Sequence, residues 1–426
     1  RLCLLSNELF SFDIGDLGDY LAQIGLRPSR DEIEGLLKTT GGWIAAIRLQ
    51  ISAYRSSGRF APQEDIAELF ASVMWNNLAV KRREERMRVA LAENFTAAQA
   101  AAMLNKSELD DAEIRSLEEN PFVRYDRSDA TYTFHPLLRT FLLGKLSGQS
   151  EEFRRSALLG AAKGAAARSD LAAAARFYVM LGDLDSVFEL PYDDSSLMRM
   201  LREARTEMLE KMVVNGPYTA MGKHPEIVIN IAFEFFLRGR LDLFERCVAL
   251  LTEFSTTGQF YDETQRRRVL GETELMKIFP LFNDAEAMSE VHRNAWEILG
   301  EPIRYLKFAG SGTFGISSVV CMYWRESGGL ARTLSTISEG MVCYARLYPG
   351  HGSGVVEAMK SEMALLSGAD EEAEELAALA DYRAQKFGQD CLSFCALLVL
   401  ARAAVLRGDA GKYRVVIDRM KELAFA

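Results

Sequence analysis

The residue in this sequence with the clearest capacity for chemistry is His135, in the segment His135-Pro136-Leu137-Leu138. An imidazole changes its charge near neutral pH and can donate or accept a hydrogen bond. Pro136 suits the first turn of a helix, where its missing N–H costs nothing, so the histidine is predicted to stand at a helix start. Two interpretations stay open: the ring is satisfied by backbone groups, or it is presented to a ligand.

A second set of candidates is aromatic and lies near the glycine-rich segment Gly350–Gly354. Its members, with the histidine inside that segment, are Tyr323, Trp324, Tyr344, Tyr348 and His351. Aromatic side chains on a concave helical surface would suit a sugar, a peptide or another small effector. Ordinary packing between helices is the alternative interpretation.

Other motifs favour plain structural roles. Residues 310–315 match G-x-G-x-x-G, but their flanks are helical, so a turn between helices is predicted rather than a dinucleotide site. Cys391 and Cys395 are one helical turn apart without a partner Cys or His pair, which indicates buried thiols rather than zinc. The basic runs 81–83 and 266–268 are typical of solvated helix faces.

His224 and His292 look isolated, and no catalytic constellation is present, so the chain is not predicted to be an enzyme.

Around the histidine, the pattern predicts a small helical unit over residues 1–60 and a second unit up to residue 148. Ser29 is a plausible N-cap for a helix over Asp31–Leu37. In the second unit, helices are predicted at Glu64–Leu78, Lys81–Leu91, Thr96–Leu104 and Asp110–Glu119. A β-hairpin follows at Phe122–Phe134, with its polar turn at Asp126–Asp129. Several short helices that end in a two-stranded wing predict a winged helix.

From residue 149 onward, the sequence reads as paired helices with a recurring Gly joint. The joints are Gly182, Gly239, Gly328, Gly368 and Gly408. Each Gly can end a helix in the left-handed conformation, and the last two intervals are both 40 residues (368 − 328 and 408 − 368). This spacing is typical of helical-hairpin repeats of the tetratricopeptide type. The prediction is a mainly α fold whose third part, residues 149–426, is a tetratricopeptide-like superhelix.

Composition limits the class of protein. With 49% hydrophobic residues over 426 positions, the chain can bury ample core in more than one domain. A net charge of -10 argues against broad nucleic-acid binding by this part of the protein. No signal peptide or membrane-spanning run is apparent, and six scattered cysteines look reduced, so a cytoplasmic protein is predicted. Because the chain starts at Arg1 rather than Met, we expect a fragment of a longer protein.

Three segments of the sequence resemble the large ATP-dependent transcriptional regulators of the LuxR type. These bacterial proteins belong to the signal-transducing ATPases with numerous domains (STAND), the class of the maltotriose-responsive activator of maltose genes. Gly42-Trp43-Ile44 and the residues after it resemble the Gly-Trp helix at the end of the ATPase module. Residues 122–143 resemble the wing and the His-Pro-Leu helix, and residues 347–409 resemble the helical sensor.

The resemblance implies a helical lid (1–60), a winged helix (61–148) and an effector-sensing superhelix (149–426). It implies that His135 contacts the β-phosphate of ADP and that Gly42 and Ile44 line the adenine side, although many members of the class have Pro where Ile44 stands. ATP or ADP would bind the full-length protein only, since no G-x-x-x-x-G-K-[ST] loop occurs here. DNA would be read through an absent C-terminal domain, and the activated full-length protein would self-associate. A small-molecule or protein effector would bind the superhelix, and no membrane is involved. The alternative is a tetratricopeptide-type scaffold that binds partner peptides and has no nucleotide switch.

Overall fold

The computed structural model describes residues 12–42, 44–58, 60, 75–76, 78–120, 122–281, 283–307, 318–323 and 326–425. Helices dominate this part of the chain, so the predicted mainly α fold class is confirmed. The chain divides into two compact units, Arg1–Ala204 and Arg205–Ala426. The predicted domain boundary at 148/149 therefore does not coincide with the division between the units.

The first unit begins with three helices: α1 (Ile14–Gln23), α2 (Arg30–Thr40) and α3 (Ile44–Ser57). Their apolar stripes form one small core, made of Leu17, Leu21, Leu36, Ile47 and Ile51. Ser29 caps α2 as predicted, and Glu32 completes the capping box by accepting from the Ser29 backbone N–H. Trp43 and nearly all of the helix predicted at Glu64–Leu78 lie outside the described residues.

The next elements are a mixture of short helices and strands. In chain order they are α4 (Val80–Val89), β1 (Asn94–Phe95), α5 (Ala97–Met103), α6 (Asp111–Glu118), β2 (Val123–Asp126), β3 (Thr131–Phe134) and α7 (Pro136–Ser147). The predicted hairpin is present, and Thr96 caps α5 as predicted. The sheet has one more strand than predicted, in the order β1-β3-β2, with both pairings antiparallel. β1 was missed because two residues are too few to show an alternating pattern.

This sheet is one wall of an aromatic core. Phe95 stacks on Tyr132 with 5.7 Å between ring centroids and contacts Phe134 at 5.3 Å. Leu137 and Leu142 of α7 complete the core from the helix side, and all of these side chains are buried. The hairpin and α7 are therefore fixed to each other by burial, which positions the residue between them, His135.

Four more helices belong to the first unit: α8 (Glu151–Ala167), α9 (Leu171–Leu181), α10 (Leu184–Phe188) and α11 (Asp194–Glu203). Helix α8 packs closely on α5, because Gly160 and Gly164 leave room for the backbone and side chain of Met103. Small residues allow two helix backbones to approach in this way, and the contact attaches these helices to the short helices and strands of residues 80–147.

The second unit is a series of helices, most of which pack against the next helix in the chain. They are α12 (Thr206–Val214), α13 (Tyr218–Lys223), α14 (Pro225–Leu237), α15 (Leu241–Thr257), α16 (Glu263–Met276), α17 (Ala285–Leu299), α18 (Val319–Tyr323), α19 (Leu330–Leu347), α20 (Val355–Leu366), α21 (Asp370–Lys386), α22 (Asp390–Leu406) and α23 (Ala410–Phe425). All five predicted joint glycines have positive φ, between 70° and 78°. The chain thus forms helical hairpins where the glycine spacing predicted them.

No helix in the described part of the chain combines the length and the apolar character needed to cross a bilayer.

Candidate functional site

A cavity of about 430 Å³ lies among the helices of the second unit. Helices α14, α16, α17, α18, α19, α20 and α22 contribute to its wall, together with the turn between α19 and α20. Its volume falls within the range of small-molecule sites, which is roughly 300–1,000 Å³. The lining is mostly aromatic and aliphatic, and no acidic side chain, lysine or arginine is among its described lining residues.

Four of the five residues predicted to bind an effector line this cavity: Tyr323, Tyr344, Tyr348 and His351. The fifth, Trp324, lies outside the described residues. Tyr344 is the centre of the group, with ring centroids 4.7 Å from Tyr348 and 5.8 Å from His351. The Tyr344 hydroxyl also makes a short hydrogen bond to Nδ1 of His351. The aromatic cluster predicted from the sequence is therefore a contiguous group.

His292 was wrongly interpreted as isolated. It is 7% exposed on α17, and its ring meets Tyr344 and Tyr348 edge-on at centroid distances of 5.0 and 6.0 Å. Three phenylalanines also line the cavity and were not predicted: Phe233, Phe236 and Phe279. The sequence signal that could have identified two of them is the aromatic run Phe233-Glu234-Phe235-Phe236 in a helix facing the predicted cluster.

Burial keeps the titratable groups of the cavity uncharged at pH 7. Loss of solvent lowers the pKa of His292 to about 4, and it also lowers the pKa of His351. The same cause raises the pKa of the phenols of Tyr323, Tyr344 and Tyr348 above the ordinary value of a tyrosine. The Tyr344 hydroxyl and Nδ1 of neutral His351 therefore share a hydrogen bond between two uncharged groups.

Glycine gives the cavity its tight corner between α19 and α20. Gly350, Gly352 and Gly354 all have positive φ, a conformation that side chains with a Cβ avoid. A Cβ at Gly354 would lie 2.5 Å from the carbonyl oxygen of Ala380 in α21. The Gly352 N–H donates to Oε1 of Gln389 at 3.0 Å. These contacts hold the turn against the later helices and place His351 on the cavity wall.

A buried carboxylate supports the segment that follows α17. Glu272 of α16 is fully buried and accepts the backbone N–H groups of Arg304, Tyr305 and Leu306 at 2.7–3.0 Å. Asn230 of α14 continues the anchor by accepting from Lys307 N–H and donating to the Tyr305 carbonyl. Burial raises the pKa of Glu272, although these amide bonds act in the opposite direction. The segment 304–307 is thereby attached to two helices of the cavity wall.

In the first unit, His135 joins the start of α7 to the end of α2. Its Nε2 lies 2.9 Å from the Thr40 carbonyl oxygen, and its Nδ1 accepts from the Leu137 N–H at 3.3 Å. These two partners indicate the tautomer with hydrogen on Nε2. Burial lowers the pKa of the ring below its ordinary value, so it is neutral at pH 7. Both ring nitrogens are thus bonded to backbone groups, which is the first of the two interpretations of this histidine. The neutral ring has no positive charge to attract a phosphate.

The other residues of the predicted nucleotide contact lie close by. A Cβ at Gly41 would be 3.1 Å from His135 Nε2, so the glycine allows the ring to reach the end of α2. Gly42 is buried at φ +75°, and its carbonyl oxygen accepts from the Phe12 N–H at 2.9 Å. Ile44 is half-buried at the start of α3. His135 thus lies next to Gly41, the residue immediately before the Gly-Trp segment.

The remaining sequence motifs show no sign of a ligand site in the part of the chain that the structure describes. The basic run of α4 makes specific bonds, since Arg82 pairs with Glu113 and Arg86 donates to Ser116, so it is less solvated than predicted. No group of three or more His, Cys, Asp or Glu residues able to hold a metal occurs in the part of the chain that the structure describes. The G-x-G-x-x-G match at 310–315 lies outside the described residues.

Similarity to known proteins is found at the level of structure. Neither a protein-family model nor a curated protein matches the sequence. Among solved structures, the chain is similar to a Signal Transduction ATPase with Numerous Domains (STAND) protein with a tetratricopeptide repeat sensor from Pyrococcus horikoshii. The two are 14% identical with a TM-score of 0.41, over 97% of this chain and 60% of the other. This chain therefore spans less than two thirds of that protein.

Proposed function

We propose that this chain is the effector-sensing portion of a bacterial cytoplasmic transcriptional regulator of the LuxR type. The cavity of the second unit is the observation on which the proposal depends. It has the volume of a small-molecule site, and four of the residues predicted to bind an effector line it. If the chain has two conformations, an effector in the cavity would favour the one that binds it more tightly. The size of this shift is set by the difference between its affinities for the two conformations.

The first unit would transmit the signal. The element order over residues 80–134 is helix, strand, helix, helix, strand, strand, and it supports the assignment of a winged helix. His135 connects this region to the end of α2 through the Thr40 carbonyl. We propose that this hydrogen bond belongs to the resting state, and that it responds to the nucleotide in the full-length protein. DNA binding and self-association would also belong to the full-length protein.

We propose that the described residues need other domains to complete a nucleotide site. His135 offers one ring N–H, which already donates to Thr40, and its ring is neutral. We therefore expect ADP with magnesium to leave the melting temperature of this chain unchanged. A rise in melting temperature on adding ADP would contradict the proposal that other domains are needed for nucleotide binding.

The proposal is tested by a thermal-shift screen of bacterial metabolites and short peptides, with one variant that fills the cavity. A ligand that binds only the folded chain raises its melting temperature. Ala285 lines the cavity at the first position of α17, so Ala285→Trp should abolish the shift. Ala410→Trp is the matched control, because Ala410 is exposed at the first position of α23.

A tetratricopeptide-type scaffold for partner peptides is the competing function. It predicts that peptides alone raise the melting temperature and that Ala285→Trp does not change the effect, since a peptide groove would lie on the helix surface. That result would reject the cavity as the sensing site. A shift that only Ala285→Trp abolishes would instead support the sensor.

A further inference from the structure

The chemistry of the cavity wall indicates which class of molecule it can hold, an argument that rests on the proposed sensing role of this site. The described wall has no carboxylate, ammonium or guanidinium group. An anion that enters such a site loses its hydration without gaining a partner of opposite charge. An uncharged molecule loses little and gains contact with the aromatic rings.

The ring content of the wall matches a ligand that is itself aromatic. Phe233 and Phe236 lie on one helix, and both contact Phe279, at centroid distances of 4.9 and 5.1 Å. Tyr344 and Tyr348 lie on a different helix and form a second aromatic group with His292. Aromatic rings prefer offset or edge-to-face contacts with one another, worth about 0.5–1.5 kcal/mol each beyond burial. A flat ring system could make such contacts with both groups.

One polar atom of the wall is suited to fix the orientation of a ligand. His292 lies on the cavity wall and is a neutral imidazole. One of its two ring nitrogens carries a hydrogen, and the other has a lone pair that can accept a hydrogen bond.

We infer that the cavity binds an uncharged aromatic molecule that carries a single N–H or O–H group, and that His292 accepts the hydrogen bond from this group. The wall excludes anions by its lack of counter-charge. It selects flat rings through its two aromatic groups.

A set of three fluorescent probes tests the inference directly on the 426-residue chain. Phenylnaphthylamine is uncharged and has one N–H. Anilinonaphthalene sulfonate has the same ring skeleton with an added anionic group. The N-methyl derivative of phenylnaphthylamine is uncharged and lacks the N–H. Fluorescence titration gives a dissociation constant for each probe.

We expect phenylnaphthylamine to bind at least about tenfold more tightly than the sulfonate, which is the ratio that about 1.4 kcal/mol of desolvation produces. Ala285→Trp should weaken phenylnaphthylamine by about tenfold or more, whereas Ala410→Trp should leave its affinity unchanged. Thermal unfolding verifies that each variant is folded, and Met288→Trp, which also lines the cavity, replaces Ala285→Trp if that variant is not.

His292→Phe separates the hydrogen bond from the shape of the site. It should weaken phenylnaphthylamine by roughly three- to tenfold, as expected for one lost hydrogen bond, and it should not change the affinity of the N-methyl derivative. Equal effects on the two probes would overturn the role of His292 as the acceptor.

The outcomes distinguish this inference from the proposed function. A sulfonate that binds as tightly as phenylnaphthylamine, and is displaced by Ala285→Trp, would overturn the uncharged class but leave a ligand-binding cavity. Probes whose affinities are insensitive to both cavity-filling variants would overturn the inference and the sensing site together.

Discussion

Two regions of the second unit are both built from helical hairpins, but their helices pack differently. In α20–α22, the residues between helices are mostly alanine, such as Ala373, Ala377 and Ala403, and the helices pack closely. In α14–α19, phenylalanine, tyrosine and methionine occupy the equivalent space, and a cavity of about 430 Å³ remains. Small side chains let helix backbones approach until the gap closes. Large aromatic rings keep the helix backbones apart and do not fill the space between them.

The comparison suggests that the later helices are a rigid support and that the earlier ones form the adaptable part. The turn at Gly350–Gly354 is where they meet, because it contributes His351 and Gly352 to the cavity wall while Gly354 lies against Ala380 of α21. Enlarging a side chain should therefore destabilise the later helices but be tolerated at the cavity wall.

The largest effect is expected for Gly354→Ala. The substitution forces a Cβ into the left-handed region at φ +97° and towards the Ala380 carbonyl oxygen. About 1–2 kcal/mol for the backbone conformation and about 1–3 kcal/mol for the clash suggest a loss of roughly 4 kcal/mol in the free energy of unfolding. Gly368→Ala is the control, since it has φ +78° but nothing within 4 Å of the added atom. Urea titration that gives equal losses for the two variants would show that the close approach is unimportant.

The second prediction concerns pH and the cavity. The pKa of His292 is about 4 in the folded chain and 6.5 when exposed, so between these values the unfolded chain binds a proton that the folded chain excludes. The free energy of unfolding should fall as the pH is lowered from 6.5 to 4, by up to about 3 kcal/mol from this residue. His135 and His351 act in the same direction. His292→Phe should make the pH dependence shallower in urea titrations, and an unchanged slope would contradict the burial of a neutral ring.

The third prediction compares the same enlargement in the two regions. Ala377→Leu adds three carbons to the closed alanine packing and should lower the free energy of unfolding by about 1–3 kcal/mol. Ala285→Leu adds the same atoms at the cavity wall, where there is room, and should change it by less than about 0.5 kcal/mol. Thermal unfolding measures both, and equal losses would mean that the cavity is not available to side chains.

The smallest effect is expected for Tyr344→Phe. It removes the hydroxyl that is hydrogen-bonded to His351 and leaves the ring, so the free energy of unfolding should fall by about 1 kcal/mol. Tyr382→Phe, at a residue that is 68% exposed, should have no measurable effect. If the two variants have equal stability, the contact between Tyr344 and His351 contributes nothing to folding.

The elements that the sequence predicted correctly are those whose signal is local. The capping box at Ser29, the Thr96 cap, the hairpin and the five glycine joints each depend on residues a few positions apart. β1 escaped prediction because Asn94 and Phe95 acquire strand geometry only by pairing with Thr133 and Tyr132. Pairing of that kind is decided by the tertiary fold.

The candidate site divides in the same way. Tyr344, Tyr348 and His351 are close in sequence and could be predicted as a group, whereas His292 and Phe233 reach the same cavity from helices far along the chain. The partner of His135 is separated from it by 95 residues, so the sequence predicted the position of the ring at a helix start but not its bond to Thr40. Contacts at such separations need the arrangement of helices, which periodicity does not provide.

The Glu272 carboxylate has a consequence for how the second unit opens. One side chain accepts three consecutive backbone amides, at residues 304, 305 and 306. These three amides cannot become accessible one at a time, because withdrawal of a single carboxylate releases them all. Their deuterium uptake should therefore give one common free energy of opening, and that value reports the fluctuation that separates this segment from α16.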